Sequence, residues 1–99
     1  MSLGIEVKQE NGTLVSLSGR LDTMTTPELE KEMEKILPEA ERLTLDFAGL
    51  EYISSAGLRL LLKAQKEMSK KGGMKLVNVN AEIAEIFEIT GFSEFLTVE

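Results

Sequence analysis

The sequence predicts an α/β fold. The expected architecture is a single domain over residues 1–99, with a mixed β-sheet, an N-terminal hairpin followed by β-α alternation, and helices packed on the sheet. Three observations predict it. Two short segments of alternating apolar and polar residues, 4–9 and 13–18, flank an Asn11-Gly12 turn. From Thr25 onward, segments with helical apolar spacing alternate with short extended ones. Each helical segment also carries its own start and stop residues.

The first strand, 4–9, puts Ile5 and Val7 on one face. Asn11-Gly12 suits a type I′ turn, because both of its central residues need positive φ. The returning strand, 13–18, is richer in β-branched and apolar residues, which suits a more central place. Gly19-Arg20-Leu21-Asp22 is expected to leave that strand as a loop. Thr25-Thr26-Pro27 opens the first helix, with either Thr26 as its N-cap or a Thr25/Glu28 capping box. Leu29, Met33, Ile36 and Leu37 form its apolar stripe, and Pro38 ends it.

Residues 43–47 alternate again and predict the third strand. A tight loop through Ser54-Ser55 leads into a second helix over 56–71, ended by Gly72-Gly73. On a helical wheel Gly57, Leu61, Ala64 and Met68 share the buried side, widened by Leu58, Leu60 and Leu62. A glycine at the first turn lowers helix propensity by about 1 kcal/mol, so Gly57 points to close approach of a neighbouring element. Arg59, Lys63, Lys66 and Lys70 make a basic stripe opposite the core side. It is either a solvated helix face or the part of an acidic protein that meets an acidic partner. Residues 74–79 predict the fourth strand. Asn80 caps a third helix carrying Ile83, Ile86 and Phe87, which stops near Thr90-Gly91, and 95–98 predicts a short last strand.

The composition removes most chemistry. With no cysteine and no histidine among 99 residues, thiolate catalysis, Ser-His-Asp triads and Cys/His metal sites are excluded. No metal site and no cofactor is expected. The net charge of −6 argues against nucleic acid as a partner. No apolar run approaches the ~20 residues that span a bilayer, and no signal peptide is recognisable. No membrane association is therefore expected, and the cytoplasm is the expected location.

What remains is Ser54-Ser55 at a helix start. A phosphate there meets exposed backbone N–H groups and the positive end of the helix dipole. One serine would cap the helix and the other face outward, and spacing alone leaves open which does which. Two serines merely capping a helix is the plainer reading. A hydrolytic serine finds no support, because Ile53-Ser54-Ser55-Ala56-Gly57 does not match G-x-S-x-G. Asp22 either approaches the serine loop or forms an Asx-type turn of its own.

Over nearly its full length the chain resembles the STAS domains of bacterial anti-sigma factor antagonists (anti-anti-sigma factors). The residues that carry the resemblance are Gly19-Arg20-Leu21-Asp22, Leu43-Thr44-Leu45-Asp46-Phe47, Tyr52-Ile53-Ser54-Ser55-Ala56-Gly57-Leu58 and Ile86-Phe87-Glu88-Ile89-Thr90-Gly91-Phe92. The resemblance implies a non-enzymatic, phosphorylation-controlled binding module that works by partner switching in transcription regulation. Such a domain binds an anti-sigma factor that is also a GHKL-type serine kinase, and so frees a sigma factor. Phosphorylation ends the association and a PPM-type serine phosphatase restores it. The family's acceptor, two residues before the motif glycine, corresponds to Ser55, with Ser54 as the alternative. Where the family often has aspartate before the acceptor and serine or threonine after it, this chain has Ser54 and Ala56. The implied partner-binding residues are Asp22, Ser54, Ser55, Ala56, Gly57, Leu58 and Arg59. The family's C-terminal helix is expected to be missing or cut short, since the sequence ends at Glu99. The alternative function is a STAS subunit of a transporter or of a lipid-transport or signalling assembly, with no phosphorylation switch.

Overall fold

The computed structural model describes residues 3–99. Met1 and Ser2, the start of the expected domain, lie outside the described residues. The elements are β1 (Leu3–Gln9), β2 (Thr13–Leu21), α1 (Thr26–Ile36), β3 (Leu43–Ile53), α2 (Ser55–Met68), β4 (Met74–Val77), α3 (Ala81–Thr90) and a single 3-10 turn at Phe92–Glu94. The sheet runs in the order β1-β2-β3-β4. β1 is antiparallel to β2, while β2/β3 and β3/β4 are parallel, so the sheet is mixed as expected.

One face of the sheet makes the core. Val15, Leu17, Leu43, Leu45, Phe47, Met74 and Leu76 point into it at alternate positions along their strands. They meet Leu29 and Met33 of α1, Leu61, Ala64 and Met68 of α2, and Ile83 and Phe87 of α3 in one cluster. The intervening strand residues, among them Ser18 and Lys75, face outward. Each helix therefore keeps its place by burying one stripe, each large apolar side chain contributing about 1.5–3 kcal/mol.

Several elements depart from the sequence expectation. Asn11 (φ 53°) and Gly12 (φ 108°) both take positive φ. The pairing of Gln9 with Thr13, however, leaves three residues in the connection rather than the two of a type I′ hairpin. β2 does not end at Ser18 but runs on to Leu21, and β3 runs on to Ile53. The buried positions of β3 explain why its second half looks irregular. They step by two through Leu43, Leu45 and Phe47, then by three to Leu50 and Ile53. The register with β2 shifts at the same two places, between Ser16 and Ser18 and between Gly19 and Arg20. At each shift β3 takes one extra residue, a β-bulge, and the period of two breaks.

Thr26 is the first helical residue of α1 rather than its cap, and Thr25 makes no side-chain capping bond either. α2 stops at Met68, short of Lys71, and Gly73 (φ 92°) returns its N–H to Met68 O at 2.9 Å. Lys71 instead lays its ammonium against the carbonyls of Leu37 (2.5 Å), Pro38 (3.2 Å) and Ala40 (3.1 Å) just after α1. β4 ends at Val77, where Asn78 turns to φ 57°. Asn80 caps α3 by accepting from Ile83 N at 2.9 Å, and Gly91 closes it at φ 81°. The expected last strand is reduced to one parallel bridge, Val98 with Leu76 on the outer edge of β4.

Candidate functional site

The two central strands end side by side. Arg20 pairs with Tyr52 and Leu21 with Ile53, and the last rung is Ser54 N donating to Leu21 O at 2.8 Å. The chain turns into α2 at that rung on one strand and into the Asp22 loop on the other. The extensions of β2 and β3 thus bring the two sequence-predicted segments together.

The geometry assigns the two serines different places. Ser54 has extended backbone (φ −96°, ψ 172°), and its Oγ accepts from Gly57 N at 3.3 Å. It is the N-cap of α2 and is half-buried. Ser55 is the first helical residue, exposed, with no side-chain hydrogen bond among the described residues. No acidic side chain stands in the first turn of α2, so the positive end of the helix is not neutralised from within the helix.

Gly57 and Leu58, expected among the partner-binding residues, are buried. Their side-chain positions face the core, where they hold the helix start. A Cβ on Gly57 would stand 2.9 Å from Ile53 Cγ1 and 2.9 Å from Leu21 Cγ, closer than packed carbons approach. The glycine lets α2 settle directly on the ends of β2 and β3. Ala56 is half-buried and Arg59 is exposed.

Asp22 builds its own loop. Its Oδ1 accepts from Met24 N (2.9 Å) and Thr25 N (3.0 Å), the Asx-type turn that the sequence allowed. Thr25 Oγ1 accepts from Asp22 N at 2.9 Å and donates to Arg20 O at 2.7 Å, which closes the loop onto the end of β2. The backbone N–H of Thr25 holds the Asp22 carboxyl below the usual carboxylate range, helped by Met24 N–H, the Thr25 hydroxyl and the charge of Arg20, against an opposing effect of burial. No hydrogen bond joins Asp22 to either serine among the described residues. They are neighbours through the backbone rung, not through their side chains.

Three side chains at this site were missed in the sequence. Arg20 lies over the Tyr52 ring, 4.2 Å from its centroid, with its Nε 3.7 Å from Asp22 Oδ2. Tyr52 is 38% exposed and Met24 83% exposed. Met24, Tyr52 and the Arg20 that stacks on it thus leave large side chains open to solvent near the ends of the two central strands. Only Met24, a large apolar residue within a run of threonines, carried a local signal. Of the basic stripe, Arg59, Lys63, Lys66 and Lys70 are all exposed, and Lys63 reaches Glu30 of α1 at 3.9 Å. A groove of about 320 Å³ runs from Thr23 and Pro27 to Ala56, Arg59 and Lys63. No helix among the described residues is long and apolar enough to cross a membrane.

The family model described as "Mlab, STAS domain" matches residues 6–98. The chain is 34% identical over 91 residues to BtrV of Bordetella bronchiseptica, covering 89% of this chain and 78% of that one. It is 31% identical over 103 residues to an anti-sigma-B factor antagonist of Staphylococcus aureus, covering 99% of this chain and 94% of that one. The chain belongs to the STAS-domain family of anti-sigma factor antagonists.

Solved STAS domains share the fold. The structure superposes on an anti-sigma factor antagonist from Mycobacterium paratuberculosis with a TM-score of 0.89 at 23% identity, covering 97% of this chain and 84% of that one. It also matches the Bacillus protein SpoIIAA in its phosphorylated form, with a TM-score of 0.74 at 16% identity, covering 97% and 91%.

Proposed function

We propose that this STAS domain, taken as residues 1–99, is an anti-sigma factor antagonist switched by phosphorylation of Ser55. In the unmodified state the Asp22 loop, Ser54, Ser55, Ala56 and Arg59 dock an anti-sigma factor that is also a GHKL-type serine kinase, and a sigma factor is released. Gly57 and Leu58 hold that surface from beneath. Phosphorylation adds nearly two negative charges at the rim of the docking surface. Charge placed in a desolvated contact separates the partners, and a PPM-type serine phosphatase restores binding. The domain works in the cytoplasm, binds no cofactor and catalyses nothing itself; ATP belongs to the kinase.

One observation carries the reading. Ser54 is occupied as a helix cap while Ser55, the next residue, stands exposed at the positive end of α2. Modification of Ser55 can leave the cap intact and still change what docks. The family membership supports the antagonist role, and the existence of a phosphorylated form of SpoIIAA supports a phosphorylation switch.

The test is incubation with ATP and a candidate kinase, followed by peptide mass spectrometry. Phosphate on Ser55, abolished by Ser55→Ala and retained in Ser54→Ala, is expected. Phosphate on Ser54 would move the switch to the capping residue. An unmodified chain recovered in a transporter or lipid-transport assembly would replace the antagonist reading altogether.

A further inference from the structure

At one side of the sheet β1 pairs only with β2, so its outer edge carries no partner strand among the described residues. At the other side the edge of β4 is met by Val98. An unpaired edge presents a row of N–H and C=O groups to any strand that fits. Here the side chains say which strand fits. Glu6 and Lys8 lie two residues apart on one face, and Val7 between them lies on the other, 41% exposed.

We infer that residues 5–9 pair edge to edge with a second copy of this chain, antiparallel and centred on Val7, joining two four-stranded sheets into one of eight strands. In that register Glu6 stands opposite Lys8 of the second copy, Lys8 opposite its Glu6, and Val7 against Val7. The neighbouring two-fold registers that keep the same faces together are repelled. Moving the centre one residue toward the N-terminus sets Glu6 against Glu6. Moving it one residue the other way sets Lys8 against Lys8 and Glu6 against Glu10. An in-register parallel pairing sets every charge against itself. Opposite charges directly across a ladder are favourable and like charges are not, so the pattern selects both the partner and the register. This inference is independent of the Ser55 switch.

Sedimentation of the wild-type chain over rising concentration should show a monomer–dimer equilibrium. Glu6→Lys and Lys8→Glu should each lose the dimer, because each makes the opposed residues alike in charge. A one-to-one mixture of the two variants should regain it as a heterodimer, which also shows that both variants are folded. Since the chain has no cysteine, Val7→Cys introduces a lone thiol that faces its own copy across the axis, within reach of a disulfide. It should oxidise to a crosslinked dimer several-fold faster than Gln9→Cys, whose opposite residue is Ile5. A chain that stays monomeric at all concentrations, a mixture that associates no better than its components, or equal crosslinking at the two positions overturns the proposal.

Discussion

The backbone N–H of Ser54 donates to the carbonyl of Leu21 at 2.8 Å, and this bond is the last rung between the two central strands. It places the start of α2 beside the loop that Asp22 organises. Because parallel strands end in the same direction, both segments emerge at the same end of the sheet. The side chain of Ser54 continues the same job by accepting from Gly57 N.

Ser54→Ala should therefore weaken the fold and Ser55→Ala should not. Loss of an N-cap oxygen costs about 0.5–2 kcal/mol, with this one toward the lower end because the bond is long at 3.3 Å. Ser55 is exposed and makes no side-chain bond among the described residues, so its truncation should stay within about 0.5 kcal/mol. Urea denaturation of the two variants checks the difference. Equal losses would mean that the serines share the cap.

Gly57→Ala should destabilise despite the better helix propensity of alanine. Propensity favours the variant by about 1 kcal/mol. The added methyl would sit 2.9 Å from both Leu21 Cγ and Ile53 Cγ1, and overpacking of this kind costs about 1–3 kcal/mol. A net loss of about 1 kcal/mol is expected in denaturant titration, together with weaker binding of the anti-sigma factor as the start of α2 is lifted. A more stable Gly57→Ala variant would show that the strand ends yield.

The third helix was legible because its signals are local. Asn80 and Gly91 are read from single residues, and both act as the sequence predicts. The inward side of α2 was legible for the same reason, from its wheel, and Gly57 lies where the wheel puts it. The second half of β3 was not, because its two bulges break the alternation that marks a strand. With that half went the continuation of β2, and with both went the Arg20–Tyr52 stack, which exists only once the two strands are in register. The last segment failed in the opposite sense. Its apolar residues look like a strand, but a 3-10 turn precedes them and the pairing with β4 is one bridge at Leu76, made by Thr97 O and Glu99 N.

The Asp22 loop should loosen in acid. Thr25 N–H, Met24 N–H, the Thr25 hydroxyl and Arg20 favour the ionised carboxyl, so its folded value lies below its unfolded one. The stabilisation is then fully present above the unfolded carboxylate value, about 3.9, and is lost as pH falls through the lower folded value. The stability difference between the wild-type chain and Asp22→Asn should be constant near neutral pH and shrink below that range. Carboxyl titration by NMR reads the folded value directly. A value at or above the ordinary range would contradict the bonds to Oδ1.

Met24 and Tyr52 offer the cleanest separation of docking from folding. Met24 is 83% exposed, so Met24→Ala removes almost no buried contact and should leave stability within about 0.5 kcal/mol. If the surface beside Ser55 is where the anti-sigma factor docks, both Met24→Ala and Tyr52→Ala should weaken binding by about 1–2 kcal/mol, the range of a moderate interface anchor. Arg20→Lys tests the stack more finely. It keeps the charge near Asp22 but gives up the planar guanidinium over the ring. Binding lost in Arg20→Lys, with Asp22 titrating unchanged, assigns the effect to presentation of Tyr52 rather than to charge. Calorimetry with the cognate anti-sigma factor reads all three variants, and unchanged affinity in all of them would move the docking surface away from the ends of β2 and β3.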